Sequence, residues 1–255
     1  MQITNTTTYS DDALYSETAT QNTVTDAFSY SRKEVVSYKI NNSFPNYYNT
    51  NISLTNTCAN VAGANVIGYY DRYFDELIPN CASGILRGTN YVYYEMLLFK
   101  EKKQAVIDWL YTAMKTNTID DGTTEDDCLE GLAEYVEGKG RDITYSSVMT
   151  GAELKFDEFE TELKEGKPIM FFLSGYNYVS VNDSGNSVTI TINEYTGNHI
   201  IVAYGYQKID YYDANNKLIE SNIYIFVSTG IENVSGFYLL NYGGNINSAK
   251  AVDMI

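Results

Sequence analysis

Histidine is almost missing from this chain: His199 is the only one in 255 residues. Cysteine is scarce as well, limited to Cys58, Cys81 and Cys128, and no Cys-x-x-Cys pair occurs. A zinc site draws on about four N, S or O ligands, so no Cys/His zinc centre is expected. Basic residues are few, with 17 Lys and Arg against 33 Asp and Glu, a formal net charge of −16. A surface of that sign repels phosphate backbones and anionic lipid headgroups, so neither nucleic acid nor a membrane surface is expected as a partner. No run of 18 apolar residues exists, which excludes a spanning helix and membrane insertion by that route. No glycine-rich phosphate loop appears. The acidic pairs Asp126-Asp127 and Asp210/Asp213 lack the glycine and the terminal glutamate of a calcium loop, so they read as solvated faces. No cofactor is implied. Only three prolines and no internal repeat interrupt the sequence.

What is present is a globular composition: 44% hydrophobic and 20% charged residues, with 25 tyrosines. The length fits one large domain or two small ones. Met1–Thr8 has neither a basic nor an apolar segment and does not read as a signal peptide. Abundant Tyr, Asn and Thr with little Lys suit an extracellular or cell-surface protein of a bacterium. Residues 1–30 are polar and aperiodic and read as a tail or linker, leaving 31–255 as the domain. Strand signals cover 34–40, and a turn-rich stretch from 41 to 48 leads to a helix opening at Cys58. Apolar spacing predicts one or two helices over 95–114, one from Thr124 to about Gly138, and one over 154–163. Beyond Lys167 the pattern turns to strands: 167–173, 187–193, 199–206, 224–227, 237–240 and 251–255, with a hairpin loop at 213–217. Helices first and strands second indicate an α+β fold.

The helix from Cys58 is small or apolar on every side, as in Ala59, Ala62, Val66, Ile67 and Tyr70, so it should be buried. Gly63 and Gly68 fit there if another backbone comes close. Asn56 or Thr57 can cap its first turn. A cysteine at a helix start feels the positive end of the dipole, which favours the thiolate. Taken alone, Cys58 fits equally a small buried residue, and His199 a satisfied histidine at a strand end. Together they supply the two groups that thiol-based acyl transfer needs, with a third group to fix the imidazole tautomer.

The residues around both resemble a known superfamily. Cys58 at a helix start, the run to Gly68-Tyr69-Tyr70-Asp71, and Gly197-Asn198-His199-Ile200-Ile201-Val202-Ala203-Tyr204-Gly205-Tyr206 look like the papain-like cysteine peptidases. The branch they resemble is the bacterial one related to bacteriocin-processing (double-glycine) peptidases. Phe156 and Glu162-Leu163-Lys164-Glu165-Gly166-Lys167-Pro168, followed by Ile169–Leu173, match that branch's linking motif. The resemblance spans roughly 44–255. It implies a papain-like fold: a helical half with the Cys58 helix packed on an antiparallel sheet carrying His199. It further implies hydrolysis of a peptide or related amide bond, with a peptide or protein substrate, Cys58 as nucleophile and His199 as proton shuttle.

The chain departs from the family pattern at two places. Ala59-Asn60 stands where Gly-Pro follows the nucleophile, and Ile52 stands where a glutamine would donate to the oxyanion. Asn51 is the nearest amide in spacing, with Asn49 and Asn56 as alternatives. The third catalytic residue should follow the strand after the histidine. That strand end offers only Ser228 and Thr229, so Asn241, one strand later, is the expected orienting residue. Two other readings remain open: an inactive binding or adhesion module on the same fold, and an acyl transferase or cell-wall amidase. Amidases of that kind often use a second histidine, which is missing. A thiolate beside His199 would raise the imidazole pKa above the usual value of about 6.5.

Overall fold

The computed structural model describes residues 21–41, 44–79, 81, 100–231, 235–240 and 245–255. Among them are four helices, α1 (Cys58–Tyr70), α2 (Lys100–Ala113), α3 (Glu125–Glu137) and α4 (Phe156–Lys164). The strands are β1 (Gln21–Ser29), β2 (Arg32–Lys39), β3 (Ile143–Ser147), β4 (Met149–Thr150), β5 (Glu153–Leu154), β6 (Ile169–Ser184), β7 (Ser187–Tyr212), β8 (Leu218–Ser228), β9 (Ser235–Leu239) and β10 (Asn245–Met254). β4 and β5 pair with each other, and the other eight strands form one sheet. Every pairing among the described residues is antiparallel. The architecture is α+β. No helix among the described residues is long and apolar enough to cross a membrane.

β6 pairs with β7, β7 with β8 and β8 with β9, and β9 returns to β6 at Val179–Phe237. These four strands close on themselves, so none of them presents an open edge where the ring is complete. β10 lies between β6 and β3 and is an interior strand.

The sheet carries core on both faces because side chains alternate along a strand. Met170, Phe172, Ile200 and Val202 pack with Cys58, Val66 and Ile67 of α1, Leu110 of α2 and Leu132 of α3. Phe171, Leu173, Ile201 and Ala203, their sequence neighbours, pack with Phe159 and Leu163 of α4. Each fully buried aliphatic side chain of this kind stabilises the fold by about 1.5–3 kcal/mol. A third, smaller cluster gathers Tyr30, Val188, Ile190, Ile209, Tyr211 and Tyr224 where β7 turns back on itself.

Every residue of α1 is buried. Glycine at 63 makes room for Met114 and Leu110, whose side chains would lie 2.9 and 3.1 Å from an added Cβ. At Gly68 the close neighbour is the ring of Tyr47, 2.6 Å from an added Cβ. The approach that both glycines allow is therefore by side chains and not by another backbone. The polar members of α1 are satisfied: Asn65 Oδ1 accepts from Tyr47 N (2.6 Å), and Asn60 Nδ2 donates to Thr116 Oγ1 (3.0 Å).

Two expectations change. Residues 21–29, assigned to the tail, form β1, paired with Ser187–Tyr195. Side chains from Asn22 to Ala27 are exposed, so the strand buries no apolar stripe that a sequence pattern would reveal. The strands expected at 187–193 and 199–206 are one strand of 26 residues. The polar link Glu194–Asn198 reads as a break, yet it pairs with β6. A bulge between Ser174 and Tyr176, with Gly175 at φ +76°, absorbs the bend.

Candidate active site

The loop that enters α1 is held by its own amides. Asn49 Nδ2 donates to the carbonyls of Asn51 (3.0 Å) and Leu54 (3.2 Å), and its Oδ1 accepts from Gln104 Nε2 (2.9 Å). Asn56, at φ +57°, turns the chain into the helix, and its Nδ2 donates to Asn117 Oδ1 (2.9 Å). Cys58 is the first residue of α1 and is buried. Thr57 occupies the N-cap position without a side-chain capping bond, and the first turn contains no acidic residue. The positive end of the helix is thus not neutralised by its own first turn, a setting that favours negative charge on sulfur or on an adjacent oxygen.

Asn51, the expected oxyanion donor, is directed elsewhere. Its Nδ2 donates to Asp108 Oδ1 on the exposed side of α2 (3.4 Å), and its Oδ1 accepts from Ser53 N (3.1 Å). The structure does not bring this amide to Cys58. Asn241 lies outside the described residues.

His199 sits on β7 opposite Leu173 of β6 and is 2% exposed. Its ring stacks on Tyr176 at 4.6 Å, and Tyr176 stacks on Tyr195 at 4.7 Å. Nε2 lies 2.9 Å from the carbonyl oxygen of Thr229. A carbonyl only accepts, so the neutral imidazole carries its proton on Nε2 and leaves the Nδ1 lone pair bare. Nδ1 is buried and has no hydrogen-bond partner. Burial pushes the imidazole pKa down to about 4, against a smaller opposing effect of the Thr229 carbonyl. The ring is neutral at pH 7, the reverse of what a resting thiolate–imidazolium pair would give, because desolvation of the charged ring dominates.

Cys58 and His199 are connected indirectly, through neighbouring residues. Thr229 receives the imidazole N–H, and an added Cβ on the next residue, Gly230, would lie 3.0 Å from Val61, one turn along α1 from Cys58. Ile200, the next residue, belongs to the core cluster of Cys58, whereas His199, paired with Leu173 and stacked on Tyr176, faces the other side of the sheet with the α4 cluster. No Cys58–His199 hydrogen bond is present. Tyr178, next to Tyr176 on the same side of β6, has a buried hydroxyl without a hydrogen-bond partner. Burial pushes the pKa of that hydroxyl up, with Tyr176, Tyr195 and Cys58 adding to the effect through their charges. No family model, curated protein or solved structure matches this chain.

Cys58, Cys81 and Cys128 are all buried, and none forms a disulfide. Burial holds the Cys128 thiol well above its usual range, with a further contribution from Cys58. Among the described residues no group of three His, Cys, Asp or Glu side chains is placed to hold a metal ion. Asp127 is tied to Lys115 (2.5 Å) and to Thr124, the cap of α3.

Sequence reading missed the Thr229 carbonyl and the tyrosine stack. The strand end offers Ser228 and Thr229 as side chains, and a main-chain oxygen leaves no mark in a sequence. The alternation Tyr176-x-Tyr178 on a strand next to the histidine strand was the only available signal for the stack.

Proposed function

We propose that this chain is a papain-like cysteine hydrolase that cleaves peptide or related amide bonds, with Cys58 as nucleophile and His199 as base. One observation carries the reading: the single histidine is locked as the Nε2–H tautomer by Thr229, with a buried, unpartnered Nδ1. A neutral imidazole with a bare Nδ1 is a general base in its working form.

In the proposed reaction Nδ1 takes the thiol proton as Sγ of Cys58 attacks the substrate carbonyl. The tetrahedral oxyanion develops near the first-turn N–H groups of α1. Collapse breaks the C–N bond, and the imidazolium gives its proton to the leaving amine. Water then attacks the thioester, with Nδ1 again as base, and releases the acid and the thiol. The resting imidazole is neutral. The expected setting is the exterior of a bacterial cell, and the expected substrate is a peptide or protein.

The second reading is a non-catalytic binding module on the same fold. It is favoured by the lack of a Cys58–His199 hydrogen bond and by the outward direction of Asn51. A cysteine-directed epoxide separates the two. The enzyme reading expects stoichiometric labelling of Cys58 that slows in His199→Ala. Labelling that ignores His199, or spreads evenly over the three thiols, removes it. Products formed with and without added amine distinguish hydrolysis from acyl transfer.

A further inference from the structure

We propose that Asn46 is a positioning residue for His199, an inference that rests on the Cys58–His199 reading above. Asn46 lies in the loop that leads to α1. Its Oδ1 accepts two hydrogen bonds from the end of β8, from Ser228 Oγ (3.0 Å) and from Thr229 N (3.2 Å). Thr229 stands one residue beyond the last ladder pairs of β8, Val202–Ser228 and Ser228–Ser235. Thr229 thus lies beyond the ladder, and the side chain of Asn46 is one of the groups that hold its main chain. The carbonyl of that same residue holds the imidazole N–H.

The other end of the link is rigid. Tyr47, the next residue, is fixed to the middle of α1 by its N–H bond to Asn65 and by its ring lying against Gly68. One side-chain oxygen thus joins the entrance of the Cys58 helix to the main-chain group that orients His199. The usual orienting side chain is replaced by a carbonyl, and the specificity of sequence moves one step back, to the residue that holds the carbonyl. Asn46 touches no reacting atom. Its effect passes through Thr229 and depends on an acceptor at Oδ1.

The test follows the only imidazole in the chain by ¹⁵N–¹H spectroscopy, first in wild-type protein and then in Asn46→Ala and Asn46→Asp. Wild type is expected as the Nε2–H tautomer with a slowly exchanging proton. Asn46→Ala should give a mixture of tautomers, faster exchange and a histidine titration moved further down, because the Thr229 carbonyl is what opposes the effect of burial. Its kcat/KM should fall by roughly tenfold to a hundredfold, as misplacement of a reacting group does. Asn46→Asp keeps the acceptor and should restore the tautomer. An Asn46→Ala protein with lowered Tm but a wild-type imidazole spectrum would overturn the proposal. If Asn46→Ala does not fold, Ser228→Ala removes one of the two bonds and should shift the spectrum part-way; no shift there overturns it equally. Repeating the spectra in a Cys58→Ala background keeps the two ideas apart. A tautomer shift that persists while epoxide labelling ignores His199 would sink the hydrolase reading and leave the positioning role standing.

Discussion

Acid should destabilise this fold through one imidazole by about 3 kcal/mol. The perturbation is a fall in pH from about 7 to about 4, applied to wild type and to His199→Gln. His199 is fully buried, and its pKa is pushed down to about 4, whereas an unfolded histidine titrates near 6.5. Between those values the unfolded chain holds the proton and the folded chain does not. Stability from this group is therefore full above about 6.5, falls as pH drops, and is gone below about 4. At roughly 1.4 kcal/mol for each tenfold change in proton affinity, the window corresponds to about 3 kcal/mol. Carboxylates lose their own contributions in the same range, so the quantity to read is the difference between the two proteins. Urea unfolding at three pH values across the window gives it. His199→Gln should lose less stability than wild type, with most of the gap opening between pH 6.5 and 4. Parallel losses in the two proteins, or a histidine resonance that titrates at 6.5 or above, would refute the argument from burial.

Iodoacetamide should modify Cys58 well before Cys128, whose thiol is held up by burial; mass mapping of partially labelled protein checks this, and early labelling of Cys128 would count against it. Cys58→Ala should melt close to wild type while losing all epoxide capture. Val66→Asp, at a position with no exposure, should fail to fold because it buries an unpaired charge, and circular dichroism separates the two outcomes. Gly131→Ala should lower stability by about 1–3 kcal/mol, since its Cβ would lie 2.7 Å from the main-chain N of Met114. Alanine's better helix propensity returns only about 1 kcal/mol, so a stabilised variant in denaturant unfolding would mean that α2 and α3 are not in contact there.

The sequence disclosed elements whose apolar pattern is strong. α1 was legible because Ala59, Ala62, Val66 and Ile67 leave it no polar face, and β7 because Ile200–Ala203 is continuous. β1 was hidden because an edge strand with exposed Thr, Asp and Asn side chains is held by main-chain bonds, which every residue type can make. The site divides the same way. Cys58 and His199 are rare residue types at informative places. Asn51 had the right amide chemistry and spacing, but its loop bonds outward to Asp108, a direction that spacing does not carry. The orienting carbonyl of Thr229 is invisible in principle, and Asn46 is one of many asparagines until its two bonds to β8 are seen.

The closed ring of β6, β7, β8 and β9 has a consequence for how the protein is made. The Cys58 helix and its entry loop are synthesised early, but the imidazole gains its acceptor only when Thr229 reaches it, 30 residues after His199. The ring then closes through β9, and β10 must still slide between β6 and β3. Pairings this distant in sequence form slowly, because chain entropy is lost before contacts repay it. A nascent chain therefore carries Cys58 in place before His199 is fixed, and the imidazole is held only after Thr229 has emerged and folded against it.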